Sequence, residues 1–378
     1  MMVKRGMMIV LLIILSLGSV QAQVSDERFE KLARGISLMG WFWYGPPDRE
    51  GLDARFTDEE LEQLADIGFT YVRLPITLEF LLDTNSDDLL NKTNADYLLG
   101  AIQRLNDLGL AVTVDIHSTS IADSDAVNYS GALEDPAFVE VFIKFWGTFA
   151  AYLSDTNPEM VFIEPMNEPV FYDNPSLWTP IQERLVTTIR EQMPEHTIIV
   201  TAARWSSSSL LMEMEPLDDP NLVYNFHWYA PFVFTHQGAS WSSDFLLNLR
   251  DIPYPSSVEI IAPYLEQIPA GEAHDQVRWY GEENWNAETI RAEIDVIAAW
   301  AAEHDVRLIC DEFGAYGETT PPESRVQWTY DVRTAFEANN IGWSMWEYDY
   351  GFGLVTRDAA GNPVLDVDLA EALGLNVP

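Results

Sequence analysis

Eight short apolar segments recur along this chain, at 36–44, 70–76, 111–118, 161–168, 197–205, 222–230, 306–313 and 341–347. Most are followed by a stretch whose apolar residues return at helical spacing. Alternation of this kind predicts a parallel sheet, because each helix carries the chain back to start the next strand in the same direction. Eight such units predict an α/β fold closed into a single (β/α)8 TIM barrel, with functional groups gathered at the C-terminal ends of the strands. The helical stretches carry their own signals. Thr57-Asp58-Glu59-Glu60 reads as a capping box ahead of Leu61, Leu64, Ala65 and Ile67. Pro136 stands where a first helical turn tolerates it, ahead of Phe138, Val141, Phe142, Phe145 and Phe149. Segments 176–193, 287–304 and 322–338 are similar, and a short helix is expected around 207–213.

Two regions depart from this rhythm. Residues 1–22 read as a signal peptide: Lys4 and Arg5 form a positive start, Met8 to Leu17 an apolar run, and Val20-Gln21-Ala22 a small-residue cleavage pattern. The run is short for a membrane span, and an uncleaved anchor is the alternative. The expectation is a secreted protein, extracellular or periplasmic, with one barrel domain at 23–378, no membrane contact after cleavage, and a monomeric state. The second departure is the connection from Pro231 to Trp285, a long loop insertion after strand six. It carries Trp241, Tyr254, Tyr264, Trp279, Tyr280 and Trp285. It reads equally as a functional wall and as a small subdomain packing its own aromatics.

Charge and cysteine usage narrow the function. The net charge of −39 repels nucleic acid and anionic membranes, so a neutral polymer suits this chain better than a polyanion. Cys310 is the sole cysteine, so no intrachain disulfide can form. The six histidines include no His-x-x-x-His pair, and strand one, with Met39-Gly40-Trp41-Phe42-Trp43, lacks histidine. No metal and no cofactor is therefore expected.

Polar groups nevertheless stand at the tips of most strands. Strand two offers Arg73, strand three His117, strand four Asn167 and Glu168, strand six His227 and Tyr229, strand seven Glu312 and strand eight Trp346. Residues two apart share a strand face, so His227 points with Tyr229, and Asp115 with His117. By the same rule Trp228 points outward, and Asp311 faces the helices, away from Glu312. Glu164 shares parity with Glu168 but is expected about 13 Å deeper by strand rise, in an ion pair. Glu347 beside Trp346 invites the same caution. Two carboxylates on separate strands are what hydrolysis of a glycosidic bond requires, one as acid/base and one as nucleophile.

The ordered set Arg73, His117, Asn167-Glu168, His227, Tyr229, Glu312 and Trp346 resembles glycoside hydrolase family 5, the cellulases, mannanases and related β-glycanases. The resemblance runs from about Gly35 to about Gly353. It implies that Glu168 is the acid/base and Glu312 the nucleophile. It further implies that Tyr229 and Arg73 support Glu312, and that Asn167 holds the sugar 2-hydroxyl. His117 and His227 would line the pocket, with Trp346 under the sugar. It also implies retention of configuration, with carboxyl groups about 5–5.5 Å apart. Trp43 and Trp205, ending strands one and five, are candidate sugar platforms. The resulting expectation is a β-linked glycan substrate and endo-β-1,4-glucanase activity. β-Mannanase and exo-β-1,3-glucanase are the alternatives within the class, and a non-catalytic glycan-binding barrel the alternative outside it.

Overall fold

The computed structural model describes residues 23–117 and 129–377. The leader expected at 1–22 lies outside them. Arg34–Ser37 (β1), Tyr71–Thr77 (β2), Ala111–His117 (β3), Val161–Glu164 (β4), Ile198–Thr201 (β5), Leu222–Trp228 (β6), Arg307–Phe313 (β7) and Gly342–Met345 (β8) form a closed barrel. Every pairing is parallel, and β8 closes on β1. The alternation of apolar strand and amphipathic helix therefore builds the barrel it predicts. Among the described residues no helix is long and apolar enough to cross a membrane.

The barrel strands are apolar on both faces because neither face meets water. β3 and β6 are buried throughout, and β2 up to its last residue, Thr77. On β6, Phe226 and Trp228 point to the helices, and the Phe226 ring lies 6.0 Å from Phe336 of helix Pro322–Ala338. His227 points inward between them. The N-terminal end of the barrel is plugged by Leu32, Tyr71, Ala111, Phe162, Ile199, Val223 and Ile309. Gly35 makes room for that plug, since a Cβ there would lie 2.3 Å from the Tyr71 ring. The expected capping box closes helix Asp58–Ile67, and Pro136 opens helix Pro136–Leu153.

Three strands end earlier than their apolar runs suggest. β4 stops at Glu164 because Pro165 has no N–H to offer the ladder. β5 stops at Thr201, and Arg204, Trp205 and Ser206 follow with φ of 53°, 58° and 55°, a left-handed run that no strand accommodates. β1 stops at Ser37, and beyond it only Phe42 bridges to Ile76. Trp43 and Trp205 consequently ride on loops, not on strand ends.

β7 overturns one expectation outright. Its register against β6 runs Asn225 to Ile309 and then His227 to Glu312, two steps on one strand against three on the other. It slips against β8 as well, between Cys310 and Phe313. The extra residue is a bulge, and a bulge breaks the two-residue alternation. Asp311 therefore faces the barrel interior with Glu312 and not the helix layer. The backbone N–H of Asp311 donates to Asn225 Oδ1 at 3.2 Å, so a side chain of β6 replaces the lost ladder bond.

The insertion folds into helices Phe232–Thr235, Val258–Leu265 and Glu272–Glu283. Tyr254, Tyr280 and Trp285 are buried in it. The Phe234 ring sits 5.6 Å from Tyr254 and 6.4 Å from Trp328 of helix Pro322–Ala338, and the Tyr254 hydroxyl donates to Asp331 at 2.7 Å. These aromatics hold the insertion against the barrel. Trp241 instead leans toward the strand tips, edge-on to Tyr316 at 4.8 Å. The buried aromatics match the reading of a subdomain packing its own rings.

Replacing Asn225 with alanine should orphan the bulge N–H and lower stability by about 1–3 kcal/mol, read as an earlier urea midpoint with an unchanged slope.

Candidate active site

Arg73 is the hub on which the strand-tip groups converge. β2 carries it into the barrel, where it is fully buried. Its Nε and Nη2 donate to the two oxygens of Glu164 at 2.9 and 2.8 Å. Nη2 also donates to Asn167 Oδ1 at 2.5 Å, and Nη1 to Glu312 Oε2 at 3.1 Å. Asp115 and Asp311 lie 3.1 and 3.5 Å from the same guanidinium. Glu164 is in the ion pair expected of it. It does not lie far below the site, however: the chain turns at Pro165, and Glu164 and Asn167 reach one nitrogen.

The second cluster centres on His227. Its Nδ1 lies 2.8 Å from Glu168 Oε1 and its Nε2 3.2 Å from Asp311 Oδ1. Tyr229, two residues on, donates its hydroxyl to Glu312 Oε1 at 2.8 Å. Oxygens of Glu168 and Glu312 and a nitrogen of His227 all lie within 4.8 Å of one another. Oxygens this close fit the close-set carboxyl pair of double displacement better than the wider pair that leaves room for an intervening water.

On β3, His117 Nδ1 meets Asp115 at 2.7 Å, as their shared parity requires. Its Nε2 faces Asn167 Nδ2 at 3.3 Å. The network assigns Nδ1 as the protonated nitrogen and Nε2 as the acceptor. One Asn167 amide hydrogen then serves His117, and the other remains to donate to a ligand hydroxyl. Trp346 stacks parallel to the His117 ring at 5.3 Å, and Trp43 lies 4.3 Å from His117 and 5.5 Å from Trp346. Tyr316 and Phe352 extend this aromatic wall. Trp205 stands apart, 42% exposed and 6.1 Å from Tyr172. The left-handed run is tied to the segment after β4, because Ser206 Oγ donates to the Asn167 carbonyl and Arg204 N to the Val170 carbonyl.

Burial and neighbouring charge set the protonation states. Burial, joined by the charge of Glu168, pushes the Glu312 carboxyl up more strongly than the His227, Arg73 and Tyr229 contacts pull it down. For His227, burial acts downward, but the Glu312, Asp311 and Glu168 carboxylates outweigh it and hold the imidazole well above its ordinary value. His117 goes the other way: burial, with Arg73 and His227 nearby, holds it well below. Burial also keeps the Tyr229 hydroxyl protonated as a donor, and Glu312 adds to that effect.

Two trios, Glu164-His227-Asp311 and Glu168-His227-Glu312, have metal-ligand spacing. Both need the His227 ring, whose nitrogens already face Glu168 and Asp311, and the Arg73 guanidinium already holds Glu164. The site thus brings together Arg73, His117, Asn167, Glu168, His227, Tyr229, Glu312, Trp346 and Trp43, and leaves Trp205 on the rim. Sequence reasoning misplaced Asp311, because no residue pattern marks a bulge.

The chain matches the family model "Cellulase (glycosyl hydrolase family 5)" over residues 28–351. It is 27% identical to Endoglucanase 3 of Fibrobacter succinogenes, covering 93% of this chain and 54% of that protein's length. It is also 27% identical to Endoglucanase C of Acetivibrio thermocellus, covering 83% of this chain and 90% of the relative. A solved structure of Thermotoga maritima Cel5A in complex with cellobiose superposes with a TM-score of 0.72 at 26% identity, covering 92% of this chain and 98% of that one.

Glu347, adjoining Trp346, is buried and pushed up to about 8, chiefly by that burial. A carboxyl raised in the folded state and ordinary, near about 4.3, in the unfolded state stabilises the fold below that range and loses its contribution as pH rises through the folded value. The expected outcome is that Glu347→Gln flattens the fall in stability between pH 6 and pH 8.5, measured as urea midpoints across that window.

Proposed function

The chain belongs to glycosyl hydrolase family 5, the cellulase family, and on that premise we propose that it is a secreted, retaining endo-β-1,4-glucanase. The observation that carries the mechanism is the close pair Glu168 and Glu312, set within 4.8 Å with different partners. Glu168 protonates the glycosidic oxygen while a Glu312 oxygen attacks the anomeric carbon. The C–O bond to the leaving sugar breaks as the bond to Glu312 forms. Glu168, now ionised, takes a proton from water, and that water displaces Glu312 with a second inversion, giving net retention.

The remaining residues bind and orient. Arg73 and Tyr229 hold Glu312 at its two oxygens, which fixes the attacking group. Asn167 presents an amide hydrogen to the 2-hydroxyl, and His117 keeps that amide in place. Trp346 and Trp43 support the sugar undergoing cleavage. Trp205 and Tyr172 extend the surface on the Glu168 side. Beyond Trp43, a cleft of about 500 Å³ is lined by Trp43, Tyr44, Pro46, Thr77, Glu79 and Asn94. Aromatic and polar lining that continues past the site at Trp43 and at Trp205 favours a chain threading through, hence internal cleavage. Relatives named endoglucanases support the β-1,4-glucan reading. A mannotriose complex of the Thermotoga maritima enzyme keeps β-mannan as the second substrate to examine. Export rests on the leader pattern at 1–22, and the barrel at 23–378 is proposed to act as one catalytic domain.

Glu312→Ala should lower kcat on barley β-glucan by about three orders of magnitude or more while oligosaccharide binding persists. Wild-type turnover in that variant would instead favour a different catalytic group. Product analysis on β-glucan, mannan, xylan and lichenan assigns linkage and cleavage mode, and NMR of the first product should show the β-anomer. An α-anomer as first product would count against double displacement.

A further inference from the structure

The bulge in β7 turns inward a carboxylate that the double-displacement chemistry does not use. Asp311 is fully buried, and its oxygens face two cations: Oδ1 lies 3.2 Å from His227 Nε2 and Oδ2 3.5 Å from Arg73 Nε. The opposite nitrogen of His227, Nδ1, is 2.8 Å from Glu168 Oε1. Asp311 and Glu168 thus flank the His227 ring, Glu168 hydrogen-bonded at Nδ1 and Asp311 at ion-pair distance from Nε2 without the alignment of a hydrogen bond.

We propose that Asp311 is a positioning residue, which holds the His227 ring protonated at both nitrogens and thereby commits Glu168 Oε1 to accepting, so that the transferable proton is carried on Oε2. The inference rests on the reading of Glu168 as the acid/base.

The argument follows from what each ring nitrogen can do. The charge of Asp311 at 3.2 Å from Nε2 favours a proton on that nitrogen and, with Glu168 opposite, a second proton at Nδ1. A protonated Nδ1 donates to Glu168 Oε1 whether Glu168 is ionised or not, because the carbonyl oxygen of the acid form still accepts. The proton of the acid form is then placed on Oε2. Without the Asp311 charge, a neutral ring protonated at Nε2 presents a bare Nδ1, which draws the Glu168 proton onto Oε1 and away from the glycosidic oxygen. A far carboxylate that sets the tautomer of a working imidazole is the logic of hydrolytic triads, applied here to a carboxylic acid partner.

The surroundings agree. His227 is faced by Glu164 and Glu168 from the β4 side, by Asp311 and Glu312 from β7, by Arg73 from β2 and by His117 from β3. Although burial acts upward on Asp311, Arg73 and His227 outweigh it and hold its carboxyl below the ordinary value, as a permanent anion opposite the ring. The sequence places this anion directly before Glu312, and only the bulge lets both residues face the same interior.

The test uses the whole enzyme. Nitrogen-15 NMR of the histidine rings, with the His227 signal identified by its loss in His227→Gln, should show wild-type His227 doubly protonated well above neutral pH. In Asp311→Asn that titration should move down by about one pH unit or more. kcat should fall about tenfold or more while KM stays within about threefold, because the defect lies in proton placement and not in sugar binding. In the His227→Gln background the same substitution should change kcat by less than about twofold, since its route to Glu168 is gone. An Asp311→Asn enzyme with unchanged His227 titration and unchanged kcat would overturn the proposal, and so would an equal loss in the His227→Gln background. If Asp311→Asn does not fold, the wild-type spectrum decides, and a His227 ring that loses a proton at ordinary imidazole pH sinks the idea. Retained turnover in Glu168→Gln would instead count against the acid/base reading itself, which the ring titration does not depend on.

Discussion

A fully buried guanidinium organises this site. Arg73 meets Glu164, Asn167 and Glu312 through hydrogen bonds and lies within ion-pair distance of Asp115 and Asp311. It therefore ties β2 to β3, β4 and β7 inside the barrel. Burying a charge is costly unless it is paired and hydrogen-bonded, and each acidic partner would be equally costly alone. The planar fork of arginine serves several oxygens at fixed angles, which a lysine in the same place does not. Such a cluster contributes little net stability, but it leaves few alternative arrangements for the side chains above it. The proposed nucleophile inherits that rigidity directly, because one of its oxygens is an Arg73 partner.

The cluster also has a charge problem, and its solution singles out one member. Asp115, Glu164, Asp311 and Glu312 are all buried. Burial drives Asp115 up, drives Glu164 to about 8 and raises Glu312, while Asp311 is held below its ordinary value by Arg73 and His227. Arg73 and the His227 ring offset part of this negative charge, and among the four only Asp311 is held below its ordinary value. A residue with no evident place in bond cleavage is thus the electrostatic counterweight to the imidazolium that touches Glu168.

The barrel was legible in the sequence because its signal is repeated: eight apolar runs, each followed by a helical period, leave few other closed architectures. The strand-tip groups were legible because alternation along an undisturbed strand is reliable, as Phe226, His227 and Trp228 demonstrate. The failures have physical sources. Pro165 ended β4 early and folded Glu164 back toward Asn167, so a distance reckoned by strand rise was too long. The left-handed run at Arg204, Trp205 and Ser206 took Trp205 off the strand and out to the rim. The bulge reversed parity at Asp311, and the Asn225 side chain that satisfies its N–H sits on the neighbouring strand, which alternation alone does not connect to it. Short-range patterns expose what a regular strand does and hide where it breaks.

Those breaks fall where the proposed chemistry needs two carboxyls treated differently. The Glu312 side chain is 8% exposed and receives Tyr229 and Arg73 on its two oxygens, whereas that of Glu168 is 26% exposed and sits beyond the end of β4. A nucleophile gains from being immobile and dry, since it must attack along one line. An acid/base must exchange a proton with water between the two displacements, so it needs solvent access and one anchored oxygen to keep its orientation. The early end of β4 lifts Glu168 toward solvent, and the bulge in β7 keeps Glu312 inside while supplying Asp311 behind His227. The same irregularities that defeat a parity argument therefore create the asymmetry between the two groups.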